Sequence, residues 1–214
     1  SYDLAGEILL QEALEGMDVA NEVAFIKNNV DHYTGATFGC HENYCMRREV
    51  QFTPRVLGAL LSFLATRQIF TGAGRVGRAN PLAFDFEMPG HSDPVDFQLS
   101  QRADHIVNDI YQWVQFNRAI INARDEPLAD YRKYRRVHLL IGDSNVSAFP
   151  TALELGTTPL VLSLIRGGGL PEDVVLRDAV FATRQISHAG SAAALVQLED
   201  GRTRNALDIQ LAFL

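Results

Sequence analysis

The sequence predicts an α+β fold in which an antiparallel sheet is backed by helices. Three observations carry this. Strand-like and helix-like stretches follow one another without regular βαβ alternation, which argues against a wound parallel sheet. The stretches 36–47, 118–123 and 136–142 read as strands. Two apolar stretches, beginning near Thr53 and 149, carry helix start or stop signals.

Taken in order, residues 3–17 place Leu4, Ile8, Leu9 and Leu14 among acidic positions, an amphipathic helix. Residues 23–29 and 36–47 read as strands. Thr53 before Pro54 is a helix cap followed by proline in the first turn, and Leu57, Leu60, Leu61 and Leu64 recur at helical spacing. The stretch 79–96, with Pro81, Pro89, Gly90 and Pro94, reads as a loop. Residues 97–101 suggest a short strand, and 103–115 suit strand or helix equally. The helix over 149–166 stops at Gly167-Gly168-Gly169. The tail predicts a helix near 177–186, a turn at Asp200-Gly201 and a last helix.

With 214 residues the chain can form one substantial core or two small ones. Its net charge of −7 argues against a phosphate-backbone partner, which needs a clustered positive surface. No uninterrupted apolar run reaches bilayer-spanning length and the start is not a signal peptide, so no membrane association is expected. Cys40 and Cys45 make no disulfide framework and suit a reducing cytoplasm.

Gly72-Ala73-Gly74-Arg75-Val76-Gly77 matches the spacing of a dinucleotide fingerprint. That fingerprint works only between a strand and the helix receiving pyrophosphate, whereas these glycines follow a helix. A helix stop and turn is the better reading. Cys40, His41 and Cys45 fall short of a four-ligand zinc site, and strand alternation sends the cysteines to opposite faces, so two buried free thiols are expected.

Within Phe38–Tyr44, alternation puts His41 and Asn43 on one face and Cys40, Glu42 and Tyr44 on the other. In the strand through 136–142, Val137, Leu139 and Ile141 share the core face, leaving Arg136 and His138 on the other with Leu140. A guanidinium grips phosphate oxygens and a neutral imidazole ligates a divalent metal. Arg124 adds a cation beside Asp125 and Glu126. Such groups suit a metal–nucleotide site on an open sheet, and equally a solvated polar face.

A set of strings follows in order along the chain: Lys27-Asn28-Asn29-Val30-Asp31, Gly39-Cys40-His41-Glu42-Asn43-Tyr44, Thr66-Arg67-Gln68 and the glycine motif from Gly72. Further along come Leu99–Asp104, Ile121-Asn122 through Asp125-Glu126-Pro127, Tyr134–His138, Gly142-Asp143-Ser144-Asn145 and Gly156-Thr157-Thr158. Together they resemble the family of the Pup ligase and the Pup deamidase/depupylase.

The resemblance implies a glutamine-synthetase-like curved antiparallel sheet, ATP and Mg2+ as cofactors, and a prokaryotic ubiquitin-like protein tag and tagged proteins as partners. It implies His41 and His138 as metal ligands and Asn43 and Arg136 as ATP contacts, with Arg102, Arg124 and Arg135 as further candidates. Residues 1–214 would be the central part of one catalytic domain. The family's Gly-x-Glu-x-Glu strand, catalytic aspartate and small C-terminal domain are not among them, so these residues alone are expected to be inert. Leu128 and Ala148 stand where the family usually has histidine and glutamate.

Val30, Arg75-Val76-Gly77 and Leu99 favour the depupylase branch, an amidohydrolase cleaving the isopeptide bond or deamidating the tag's C-terminal glutamine. Ser144 favours the ligase, which forms that bond through an acyl phosphate. A non-catalytic binding module and a small-molecule carboxylate–amine ligase are the remaining alternatives.

Overall fold

The computed structural model describes residues 2–31, 33–76, 97–112 and 118–214. Helix α1 (Tyr2–Gly16) buries Leu14 and leaves Leu4, Ile8, Leu9 and Leu10 exposed. The strand expected at 23–29 is not formed. Its apolar residues Val23, Phe25 and Ile26 are exposed, because the alternation finds no neighbouring strand among the described residues to pair with. The chain there is tied down by Asn29, whose amide group donates to Ser144 O and Gln101 Oε1 and accepts from Ser144 N. Val30 makes a single bridge to Thr37, and the regular strand β1 spans only Glu42–Arg47.

Helix α2 (Pro54–Thr66) begins as its sequence demands, with Thr53 Oγ1 accepting from Val56 N at 3.3 Å and proline in the first turn. Helix α3 (Gln68–Thr71) follows at once and ends at Gly72. Gly72 explains the glycine motif better than a cofactor does. A β-carbon there would overlap the Leu99 carbonyl oxygen and lie 2.8 Å from Gln68 O, both backbone atoms that cannot step aside. Gly72→Ala should cost about 1–3 kcal/mol, read as a lower urea midpoint at unchanged slope. The expected loop at 79–96, and Gly77, lie outside the described residues.

Strands β2 (Arg75–Val76) and β3 (Phe97–Gln98) pair antiparallel, and a 3-10 turn at Ala103–His105 leads to β4 (Asn108–Tyr111). β5 (Ala119–Asn122) and β6 (Tyr134–Leu139) complete a sheet of order β1-β6-β5-β4. β6 pairs antiparallel with both β1 and β5, while β4 joins β5 parallel. The sheet is therefore mixed. Hydropathy alternation shows which residues face the core but is blind to the direction in which an edge strand runs.

Helix α4 (Ala148–Arg166) is capped by Ser147 and contains Pro159. By length and composition it could cross a membrane, which a search for uninterrupted apolar runs overlooks. Its buried stripe of Glu154, Thr158, Val161, Leu162 and Ile165 packs toward β1 and α3, and that stripe carries the Glu154 carboxyl against Arg67, while the rest of the helix surface stays open. Helix α5 (Ala179–Ala189), capped by Asp178, is followed by the hairpin β7 (Leu195–Gln197) and β8 (Thr203–Asn205). The hairpin turns at Asp200-Gly201, where Asp200 Oδ1 accepts from Arg202 N; its short strands carry no sequence pattern of their own. Helix α6 (Ala206–Leu211) closes the chain. Leu60, Phe63 and Leu64 of α2 form the core with Ile120, Leu139, Ile186 and Ile209.

Candidate functional site

The β1–β6–β5 register builds a row of polar side chains across the sheet. Asn43 is opposite His138, and His138 is opposite Asn122. Cys45 and Arg136 form the next row on the same face, since opposed residues of paired strands point the same way. Glu42, Tyr44, Val137 and Leu139 take the opposite face. The convergence expected of His41, Asn43, Arg136 and His138 is thus present.

His138 Nε2 lies 3.3 Å from His41 Nδ1, with the rings edge to face at 5.0 Å between centroids. Arg136 Nη2 donates to His138 Nδ1. A guanidinium has only donors, so this contact makes Nδ1 an acceptor and places the ring proton on Nε2, which donates to His41. Burial, then Arg136 and His41, push the His138 imidazole down to about 4. Burial, followed by Arg102, Arg118 and Arg136, lowers His41 as well. Both rings are neutral near pH 7, the form that ligates metal.

Two imidazole nitrogens 3.3 Å apart fit adjacent positions on one octahedral cation, whose ligands at about 2.1 Å are separated by about 3 Å. The fit covers two ligands. Magnesium prefers oxygen, and among the described residues no group of three or more His, Cys, Asp or Glu gathers for a metal. Asp125 accepts from Arg136 N at 3.0 Å and Arg48 Nη2 at 2.7 Å, and Glu126 holds Arg124 Nε at 2.8 Å. The remaining ligands of a cation here would be water or phosphate oxygens.

The other arginines separate by role. Arg102 is buried, donating to Leu140 O, to Gly142 O at 2.7 Å and to Thr37 Oγ1 at 3.3 Å, so it holds the turn after β6. Arg135 lies across the sheet from Arg136, its guanidinium 4.9 Å over the Phe52 ring. Arg124 is exposed beyond β5. Sequence reasoning missed two residues. Arg118, which donates to Thr37 O at 2.8 Å, adds positive charge near His41, and Asn122 enters the row through register alone. The cysteines are not brought together. Cys45 is exposed on the edge strand, contrary to expectation, and Cys40 is only partly buried. A thiol on the open face of an edge strand is covered by none of the described residues.

A sheet face with two neutral imidazoles, an asparagine and nearby guanidinium groups presents the group types that can hold an anion accompanied by a divalent cation. The chain belongs to the Pup-ligase protein family, whose model matches residues 1–214. It is 44% identical to the Pup–protein ligase of Kocuria rhizophila over 98% of this chain and 46% of that protein. It is 41% identical to the depupylase of Acidothermus cellulolyticus over 100% of this chain and 41% of that protein. The Pup ligase PafA, solved in complex with ADP, superposes with a TM-score of 0.73 at 39% identity, over 96% of this chain and 42% of that one. The chain spans less than half the length of these relatives. Ligases and depupylases match at nearly equal identity, so the expected depupylase branch gains no support.

Proposed function

We propose that this protein is a nucleotide-dependent enzyme of the Pup system, acting on the side-chain carboxyl or amide at the C-terminus of the tag. The observation that carries this is the convergence of Asn43, Arg136, His138 and His41 on one face of a fold shared with an ADP-bound Pup ligase. Arg136 grips phosphate oxygens, Asn43 hydrogen-bonds the nucleotide, and Arg118 adds positive potential beside His41. A divalent cation at His41 and His138, when bound, offsets phosphate charge.

To hold a cation at Nε2, His138 would carry its ring proton on Nδ1, with Arg136 displaced from that atom. Phosphate, a stronger acceptor than imidazole, would take up the Arg136 guanidinium. Nucleotide and cation would then favour one another's binding. Cleavage is the direction read from the sequence, but two of its three markers have packing explanations: Val30 bridges Thr37, and Leu99 packs against the core, while the Arg75-Val76-Gly77 marker ends at Gly77, outside the described residues. Ser144, the ligase marker, engages Asn29 through its backbone.

The test is calorimetric titration of ATP with and without Mg2+, together with release of a fluorophore from a tag conjugate and tag ligation in parallel. His138→Ala should abolish the dependence of ATP affinity on magnesium while leaving the fold intact. An unchanged magnesium dependence in that variant would remove the proposed cation site.

A further inference from the structure

Behind β1, on the face opposite Asn43, lies a buried polar cluster. Arg67, at the α2–α3 junction and 1% exposed, donates to both carboxylate oxygens of Glu42, at 3.0 Å to Oε2. It also reaches Thr158 Oγ1 at 2.7 Å and Glu154 Oε1 at 3.3 Å. Glu42 and Glu154 are 4% and 3% exposed, and the Tyr44 hydroxyl donates to Glu42 at 2.6 Å.

Two carboxylates thus share one guanidinium away from water. Were both ionised, an uncompensated charge would be buried, so one proton stays. It belongs on Glu154, which has one long contact with Arg67, while Glu42 has two contacts with Arg67 and one with Tyr44. Oε1 of Glu42 and Oε1 of Glu154 meet at the same Arg67 Nη2 and flank Gly142, so a protonated Glu154 is placed to donate to Glu42.

The cluster also reaches the strands that carry the site. A β-carbon at Gly142 would overlap Glu154 Oε1 and lie 3.1 Å from Cys40 O. The Glu154 carboxyl is therefore wedged between the turn after β6 and the segment leading into β1.

We propose that Glu154 is a positioning residue, a neutral acid whose hydrogen bond to Glu42 fixes β1 so that Asn43 and His41 face the nucleotide. This rests on the nucleotide reading above. Burial pushes the Glu154 carboxyl up to about 8, with Glu42 and Asp143 adding to the rise and Arg67 opposing it. Of the other groups around it, burial pushes the Cys40 thiol up to about 12 and raises the Tyr44 hydroxyl. Arg102 lies near Cys40, and Asp143, also raised by burial, is held by Ala73 N, Gln101 N and Ser100 Oγ.

A folded-state pKa raised in this way gives stability that is complete below the unfolded value near 4.5. That stability declines as pH rises and is exhausted above about 8. Nucleotide affinity should hold to about pH 8 and then fall, being about tenfold weaker one pH unit higher, as the competent fraction drops.

The experiment compares wild type, Glu154→Gln and Glu154→Ala by ATP titration near pH 7 and pH 9, with urea unfolding across the same range. Glutamine keeps the donor but does not titrate. Glu154→Gln should match wild-type affinity near pH 7 and lose the alkaline fall, whereas Glu154→Ala should bind at least tenfold more weakly at both. An alkaline fall unchanged in Glu154→Gln would overturn the inference, as would Glu154→Gln binding as weakly as Glu154→Ala near neutrality. If Glu154→Ala does not fold, the pH profile of Glu154→Gln decides alone. Should wild type bind no ATP at either pH, the nucleotide reading falls. The role of Glu154 is then read from unfolding: from about pH 4.5 towards 8 wild type loses more stability than Glu154→Gln, which keeps only the contribution of Asp143.

Discussion

Arg136→Ala will weaken ATP affinity by about 1.5–3 kcal/mol, on the order of ten- to a hundredfold, with little change in unfolding midpoint. The physical reason is a charge-assisted contact made only when phosphate arrives. In the unliganded protein the same guanidinium occupies His138 Nδ1, so its removal also frees that imidazole. Arg136→Lys keeps the charge but not the planar fork, and should recover only part of the affinity. Calorimetry on the three proteins reads this directly, and equal affinity in all three would mean that phosphate binds elsewhere.

Arg67→Met will destabilise the fold by about 3–5 kcal/mol, the typical loss when one partner of a buried ion cluster is removed. Arg67 compensates Glu42 and lies against Glu154 and Thr158, and nothing in a methionine replaces five N–H donors. Adding Glu42→Gln and Glu154→Gln to Arg67→Met should restore much of the loss, because no buried charge then remains. Urea denaturation of the single and triple variants measures this. A triple variant no more stable than the single one would show that packing around Arg67, not charge, sets the penalty.

How far the sequence discloses this molecule depends on the range over which each feature is encoded. Helix α2 is legible because its cap, its first-turn proline and its leucine spacing are local. Likewise Val137 and Leu139 alternate against a core already implied by their neighbours. Val23, Phe25 and Ile26 show the same local alternation but find no partner strand among the described residues, and what anchors that segment is Asn29 reaching Ser144, 115 positions away.

In the site, His41 and His138 are separated by 97 positions. Alternation gives the face of each, and the register of β1 against β6 brings them together. Burial is the least visible property. Nothing local marks Arg67 or Glu154 as buried, and Arg102 is offered only as a site candidate, yet each is enclosed because its partners come from distant elements. Arg102 consequently serves backbone carbonyls, and Glu154, inside an apolar helix, serves the strand that carries Asn43.

The most direct test of the central reading is a crystal structure of the protein with a non-hydrolysable ATP analogue and Mn2+, read from the manganese anomalous signal. The account predicts one strong peak within about 2.3 Å of His41 Nδ1 and His138 Nε2, with the phosphates against Arg136 and the guanidinium withdrawn from His138. Manganese and phosphate on any other surface, with Arg136 still bonded to His138 Nδ1, would contradict it.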